Sequence, residues 1–155
     1  MFSKYFFIKK LDILPKKELT NAIFFLIFFI FLINSVAMRF YWYSILWWFD
    51  MPMHFLGGVW VGLAGIWALL YSGLFSSTSS DKQLVLRTMI IVFAIGFLWE
   101  VFEYTVQHLI PGANLADPID SVSDIFFDLS GGAFALLYFF SSRPRWCIIK
   151  SWKRN

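Results

Sequence analysis

Four stretches of this chain, 20–38, 51–75, 84–109 and 118–141, are apolar over the length a helix needs to cross a bilayer, about 20 residues at 1.5 Å each. In lipid every backbone N–H and C=O must be paired within its own segment or a closed barrel, so apolar runs of this length are helices. The chain is 59% hydrophobic and 22% aromatic but only 15% charged, where soluble domains carry about a quarter charged residues. That excludes a soluble domain. With 155 residues the expectation is a single integral membrane domain, 1–155: an all-α, polytopic bundle of four transmembrane helices.

The second span is rich in glycine (Gly57, Gly58, Gly62, Gly65), and small residues let neighbouring helix backbones approach closely. The third is expected to end at Pro111-Gly112, and the fourth to start at Asp117-Pro118, an N-cap followed by proline at the first helical position. Residues 76–82, mostly serine, read as a polar loop. Between the first two spans, 40–49 carries Tyr41, Trp42, Tyr43, Trp47 and Trp48; it is too short to cross and reads as an aromatic belt at the water–lipid interface. Residues 1–18 interleave Lys4, Lys9, Lys10, Lys16 and Lys17 with apolar side chains, which suits a segment lying on an anionic membrane surface. The order of basic residues, apolar run and Ser35-Val36-Ala37 also has the form of a cleaved signal peptide, but the long basic leader favours a retained span. The single Cys147 excludes a disulfide framework and a cysteine-based metal site.

The formal net charge of +3 is a topology signal and not a nucleic-acid footprint. Ten of the thirteen Lys and Arg lie in the tails 1–18 and 142–155, and Lys82 and Arg87 flank the serine loop. Positive charge stays on the cytoplasmic side. Four spans in an inner (cytoplasmic) membrane therefore put both termini and the serine loop inside, with Asp50 and residues 110–118 outside.

The acids are the exception to this apolar pattern. Carboxylates at membrane depth cost roughly a few kcal/mol each unless they find partners. The third span nevertheless ends in Trp99-Glu100-Val101-Phe102-Glu103-Tyr104-Thr105-Val106-Gln107-His108, with Glu100, Glu103, Tyr104 and Gln107 within about a third of a turn of one another. Asp50 and His54 share a face of the second span, and Asp120, Asp124 and Asp128 a face of the fourth. Counting about 1.5 Å per residue, three helices bring acids and one histidine to the same depth in the outer half of the bilayer. So many carboxylates with no Lys or Arg near them either are partly protonated or share a divalent cation. A carboxylate–histidine set suits Mn, Fe or Zn, or Mg with waters completing its shell. The candidate metal ligands are Asp50, His54, Glu100, Glu103, Asp124 and Asp128. Glu100, Glu103 and Asp124 are the catalytic candidates, with Tyr104, Gln107 and Asp120 in support. Simpler roles fit Asp117 as an N-cap, His108 as an interfacial residue, and Asp12, Glu18 and Asp81 as solvated charges. Asp50 also suits a cap of the second span, and Arg39 is free to lie outward or to turn toward the acids.

The pattern Asp50-x-x-x-His54-Phe55-x-Gly57-Gly58, Trp99-Glu100-x-x-Glu103 and Asp120-x-x-x-Asp124-x-x-x-Asp128-x-x-Gly131 resembles the bacterial YjdF-like inner-membrane family. More loosely it is similar to the VanZ-like family, whose first Asp is usually followed by Lys where this chain has Met51, and which often has Asn where this chain has Asp128. The resemblance covers about residues 50–135, and it implies the fold and the site more than a reaction.

The resulting expectation is an outward-opening acidic and histidine pocket that binds a divalent metal and acts on a lipid-linked or cell-envelope substrate at a phosphate or an ester. Membrane lipids are the expected surroundings, nucleic acid is excluded as a partner, and the oligomeric state is left open. Two other readings use the same residues. One is a non-enzymatic binding or assembly subunit whose acids fix helix packing; the other is a proton-coupled transporter, which the nearly featureless inner halves of the spans disfavour.

Overall fold

The computed structural model describes residues 16–71, 80–109 and 118–142. These form α1 (Lys16–Arg39), α2 (Trp42–Ile45), α3 (Asp50–Tyr71), α4 (Asp81–Leu109) and α5 (Pro118–Ser141), with no strand among the described residues. The four long helices are each long and apolar enough to cross a membrane. Residues 1–15 of the interfacial leader, residues 72–79, the stretch with Pro111-Gly112 and Asp117, and residues 143–155 of the basic tail, with Cys147, lie outside the described residues.

Two helix starts differ from the hydropathy reading. α1 is already helical at Lys16 and α4 at Asp81, since polar residues can continue a helix beyond its apolar stretch. The first turn of α4 is also capped. The Gln83 backbone N–H donates to Ser80 Oγ at 3.3 Å and the Ser80 N–H donates to Gln83 Oε1 at 3.1 Å, a reciprocal capping box.

The tightest contact in the bundle is between α3 and α5, and glycine makes it. A Cβ on Gly58 would run into the backbone carbonyl of Asp128, and one on Gly131 into the carbonyl of Phe55. A turn further along, a Cβ on Gly62 would sit 2.8 Å from that of Ala135. Small residues at Gly58 and Gly62 thus face Gly131 and Ala135, and the two backbones meet where side chains would otherwise hold them apart.

From there toward the Tyr71 end the bundle is closed by apolar packing. Leu19 of α1, Leu63, Ile66 and Leu69 of α3, Leu84 of α4 and Leu136 and Phe139 of α5 form one buried cluster. α1 packs chiefly on α3; Trp67 donates to Thr20 Oγ1 at 3.0 Å, and Lys16 Nζ lies 5.3 Å from the Trp67 ring and 5.4 Å from that of Tyr71. The outer face of α1 is bare, with Phe24, Phe25, Phe28 and Phe31 exposed, as suits a helix whose solvent is lipid.

At the other end the chain reverses through Tyr41, whose φ of 56° lies in the left-handed region. The short α2 follows, then a turn in which the Phe49 N–H donates to the Leu46 carbonyl at 2.9 Å. Phe49 is buried and its ring meets those of Trp42 at 5.4 Å and Tyr43 at 5.1 Å, both edge-on. The aromatic segment is therefore a folded cap on one end of the bundle.

Candidate functional site

Three helices contribute to that end, each through its own spacing. Asp50 and His54 are one turn apart at the start of α3, and Asp120, Asp124 and Asp128 are spaced by four along α5. Glu100 and Glu103 project from α4. The glycine contact draws α3 against α5, so the His54 ring lies among carboxylates of both. Its Nε2 is 3.8 Å from Asp50 Oδ1 and 4.0 Å from Asp124 Oδ2, and its Nδ1 is 3.5 Å from Asp128 Oδ2. His54, Asp124 and Asp128 are all buried.

Above them is a cavity of about 260 Å³ lined by Tyr43, Leu46, Trp47, Asp50, Glu100, Glu103, Asp120, Ser121 and Asp124. Five of the nine are acids and none is basic. Asp50, His54 and Asp124 each offer an atom within 4.8 Å of the others, and so do His54, Glu100 and Glu103. Each group, one imidazole nitrogen with carboxylate oxygens, could hold a divalent cation.

Two buried polar atoms here have no hydrogen-bond partner, Asp124 Oδ1 and Glu100 Oε1, and both residues line the cavity. Buried polar groups are ordinarily paired. Asp124 is only 2% exposed.

The other residues singled out in the sequence take varied positions. Asp120 is exposed at the rim of the cavity. Asp128 lies behind His54 and not on the cavity wall. Tyr104 is 54% exposed and off the cavity lining. The side chains of Gln107 and His108 lie outside the described residues. Arg39 is exposed and does not line the cavity.

Sequence reasoning did not single out Ser121, the lining residues Tyr43, Leu46 and Trp47 as part of the site, or Gly96. Ser121 follows Asp120 on α5 and lines the cavity with Glu100. The aromatic segment was legible only as a belt; the turn at Tyr41 and the burial of Phe49 bring it over the acids. The Tyr43 hydroxyl donates to Asn34 Oδ1 at 2.8 Å. Burial first, then the negative charges of Asp50 and Glu103, pushes that hydroxyl up to about 12 from the usual 10.

A family model for predicted membrane proteins, DUF2238, matches residues 6–145. This chain belongs to the DUF2238 family. The YjdF-like resemblance is consistent with that membership. No curated protein matches the DUF2238 chain, and no solved structure does either. Membership shows a multi-pass membrane protein.

Proposed function

We propose that this protein is a metal-dependent enzyme of the cytoplasmic membrane that acts on a lipid-linked or cell-envelope substrate at a phosphate or an ester. The observation that carries the reading is Asp124. Its carboxylate is almost fully buried, shares a 4.8 Å donor cluster with Asp50 and His54, and keeps one oxygen without a partner at the cavity. A divalent cation supplies the positive charge that such a group lacks.

In this reading Asp50, His54 and Asp124 hold the ion, and Glu100 or Glu103 on the facing wall accepts a proton as general base. The ion provides a Lewis-acid point for an anionic oxygen. With no Lys or Arg among its lining residues, the cavity repels a free anion, so a phosphate binds there only together with the cation. Trp47 lines the cavity yet is 80% exposed, which offers apolar surface beside a polar space and supports an amphiphile as substrate. Lys16, Lys17 and Lys82 lie at the opposite end, where α1 and α4 begin, and the tails are basic in sequence, so the positive-inside rule makes the mouth extracytoplasmic.

The test is metal content by elemental mass spectrometry on detergent-purified protein beside a folded Glu100→Gln/Asp124→Asn variant. The expected result is stoichiometric metal in the parent and none in the variant. No metal in either, after loading with divalent cations, overturns the reading in favour of an assembly subunit. That second reading draws on Asp128, whose carboxylate packs between helices; it has acid-to-amide changes impair assembly while ion content stays at zero throughout.

A further inference from the structure

The six acid and histidine side chains read as metal ligands from the sequence do not occupy equivalent places. Asp128 stands apart. It is buried, is absent from the cavity wall, and faces the far side of the His54 ring from Asp50 and Asp124. Its carboxylate is enclosed by glycines of two other helices. A Cβ on Gly96 of α4 would lie 2.5 Å from Asp128 Oδ2, and one on Gly57 of α3 would lie 3.9 Å from Oδ1. Oδ2 thus occupies the space a side chain on Gly96 would fill, which leaves no room for an ion and its shell on that side.

The geometry points to Asp128 as a positioning residue that accepts a hydrogen bond from His54 Nδ1–H and so presents Nε2, unprotonated, to a cation between Asp50 and Asp124. This assignment rests on the metal reading above and specifies which atoms face the ion. A neutral imidazole has one donor and one acceptor nitrogen. Nδ1 faces Asp128 Oδ2 at 3.5 Å, and Nε2 faces the oxygens of Asp50 and Asp124 at 3.8 and 4.0 Å. A carboxylate behind a ligating histidine fixes its tautomer and ring orientation and raises its basicity. Glycine at 96 is then a requirement of the site as well as of helix packing.

The experiment is a titration of detergent-solubilised full-length protein with Co²⁺, read by visible absorption, whose shape and intensity report the number and kind of ligands. Parent, Asp124→Asn, Asp128→Asn and Asp128→Leu are compared. The expected result is one ion in the parent and none in Asp124→Asn. Asp128→Asn, whose amide oxygen still accepts from Nδ1–H, keeps one ion and an unchanged spectrum at an affinity lower by about 10- to 100-fold. Asp128→Leu binds more weakly still, and if it does not fold the amide variant decides alone. A changed spectrum or lost stoichiometry in Asp128→Asn makes Asp128 a ligand and overturns the assignment while leaving the metal reading intact. Unchanged affinity in Asp128→Asn also overturns it. A parent that takes up no Co²⁺ overturns both.

Discussion

Tyr43 shows how one residue outside the spans reports on the acids. Its hydroxyl is pushed up to about 12 by burial and by Asp50 and Glu103. A tyrosine whose native pKa exceeds its unfolded value keeps a proton that the unfolded chain loses, so its contribution is intact below about pH 10 and disappears as pH rises toward 12. A difference titration of tyrosinate absorbance, parent minus Tyr43→Phe, should therefore show one group ionising near pH 12, and one near 10 would contradict the packing described. Because the two acids contribute to the shift, Asp50→Asn should lower this apparent pKa. That Tyr43 belongs to the site was not readable from its neighbours in sequence. Its place depends on the left-handed turn at Tyr41 and on the burial of Phe49, both set by tertiary packing.

At the scale of elements, the glycines of α3 and α5 are not interchangeable. Gly58 and Gly131 each meet backbone of the facing helix, whereas the nearest atoms to a Cβ on Gly65 would be those of the Ile91 side chain, at 3.5 Å and beyond. Gly58→Ala and Gly131→Ala should each lower stability by about 1–3 kcal/mol through overpacking. Gly65→Ala should be neutral or stabilising by up to about 1 kcal/mol, the difference in helix propensity. Thermal unfolding in one detergent checks all three, and equal losses at the three positions would contradict the close α3–α5 approach. Ser80→Ala should cost α4 about 1 kcal/mol through loss of its cap. The spans themselves were legible, because hydropathy over some twenty residues survives any detail of packing. The start of α4 was not taken from the sequence: residues 76–82 read by composition as a loop, although Ser80 and Gln83 have the spacing of a capping box. The convergence of Asp50, His54, Glu100 and Asp124 followed from depth counting. The separate place of Asp128 did not, since it depends on Gly96 of a third helix.

For the whole molecule, the distribution of charge and packing gives it two unlike ends. Polar side chains and the cavity gather where α3 and α5 begin and α4 approaches its end, and the buried apolar cluster closes the other. Reporter fusions at both termini and at residue 82 should all report the cytoplasmic side, with a probe at residue 47 reporting the opposite one; a split between the termini would contradict the four-span topology. The closed end has a consequence for traffic. Among the described residues, Leu63, Ile66, Leu84 and Phe139 leave no continuous file of polar groups beyond the acids, so the described bundle makes the cavity a cul-de-sac. Whatever enters at the aromatic mouth should depart by the same mouth, without joining the two aqueous compartments. Liposomes carrying the protein should hold a proton gradient as well as empty ones do, and a membrane voltage should drive no net passage of ions through the protein.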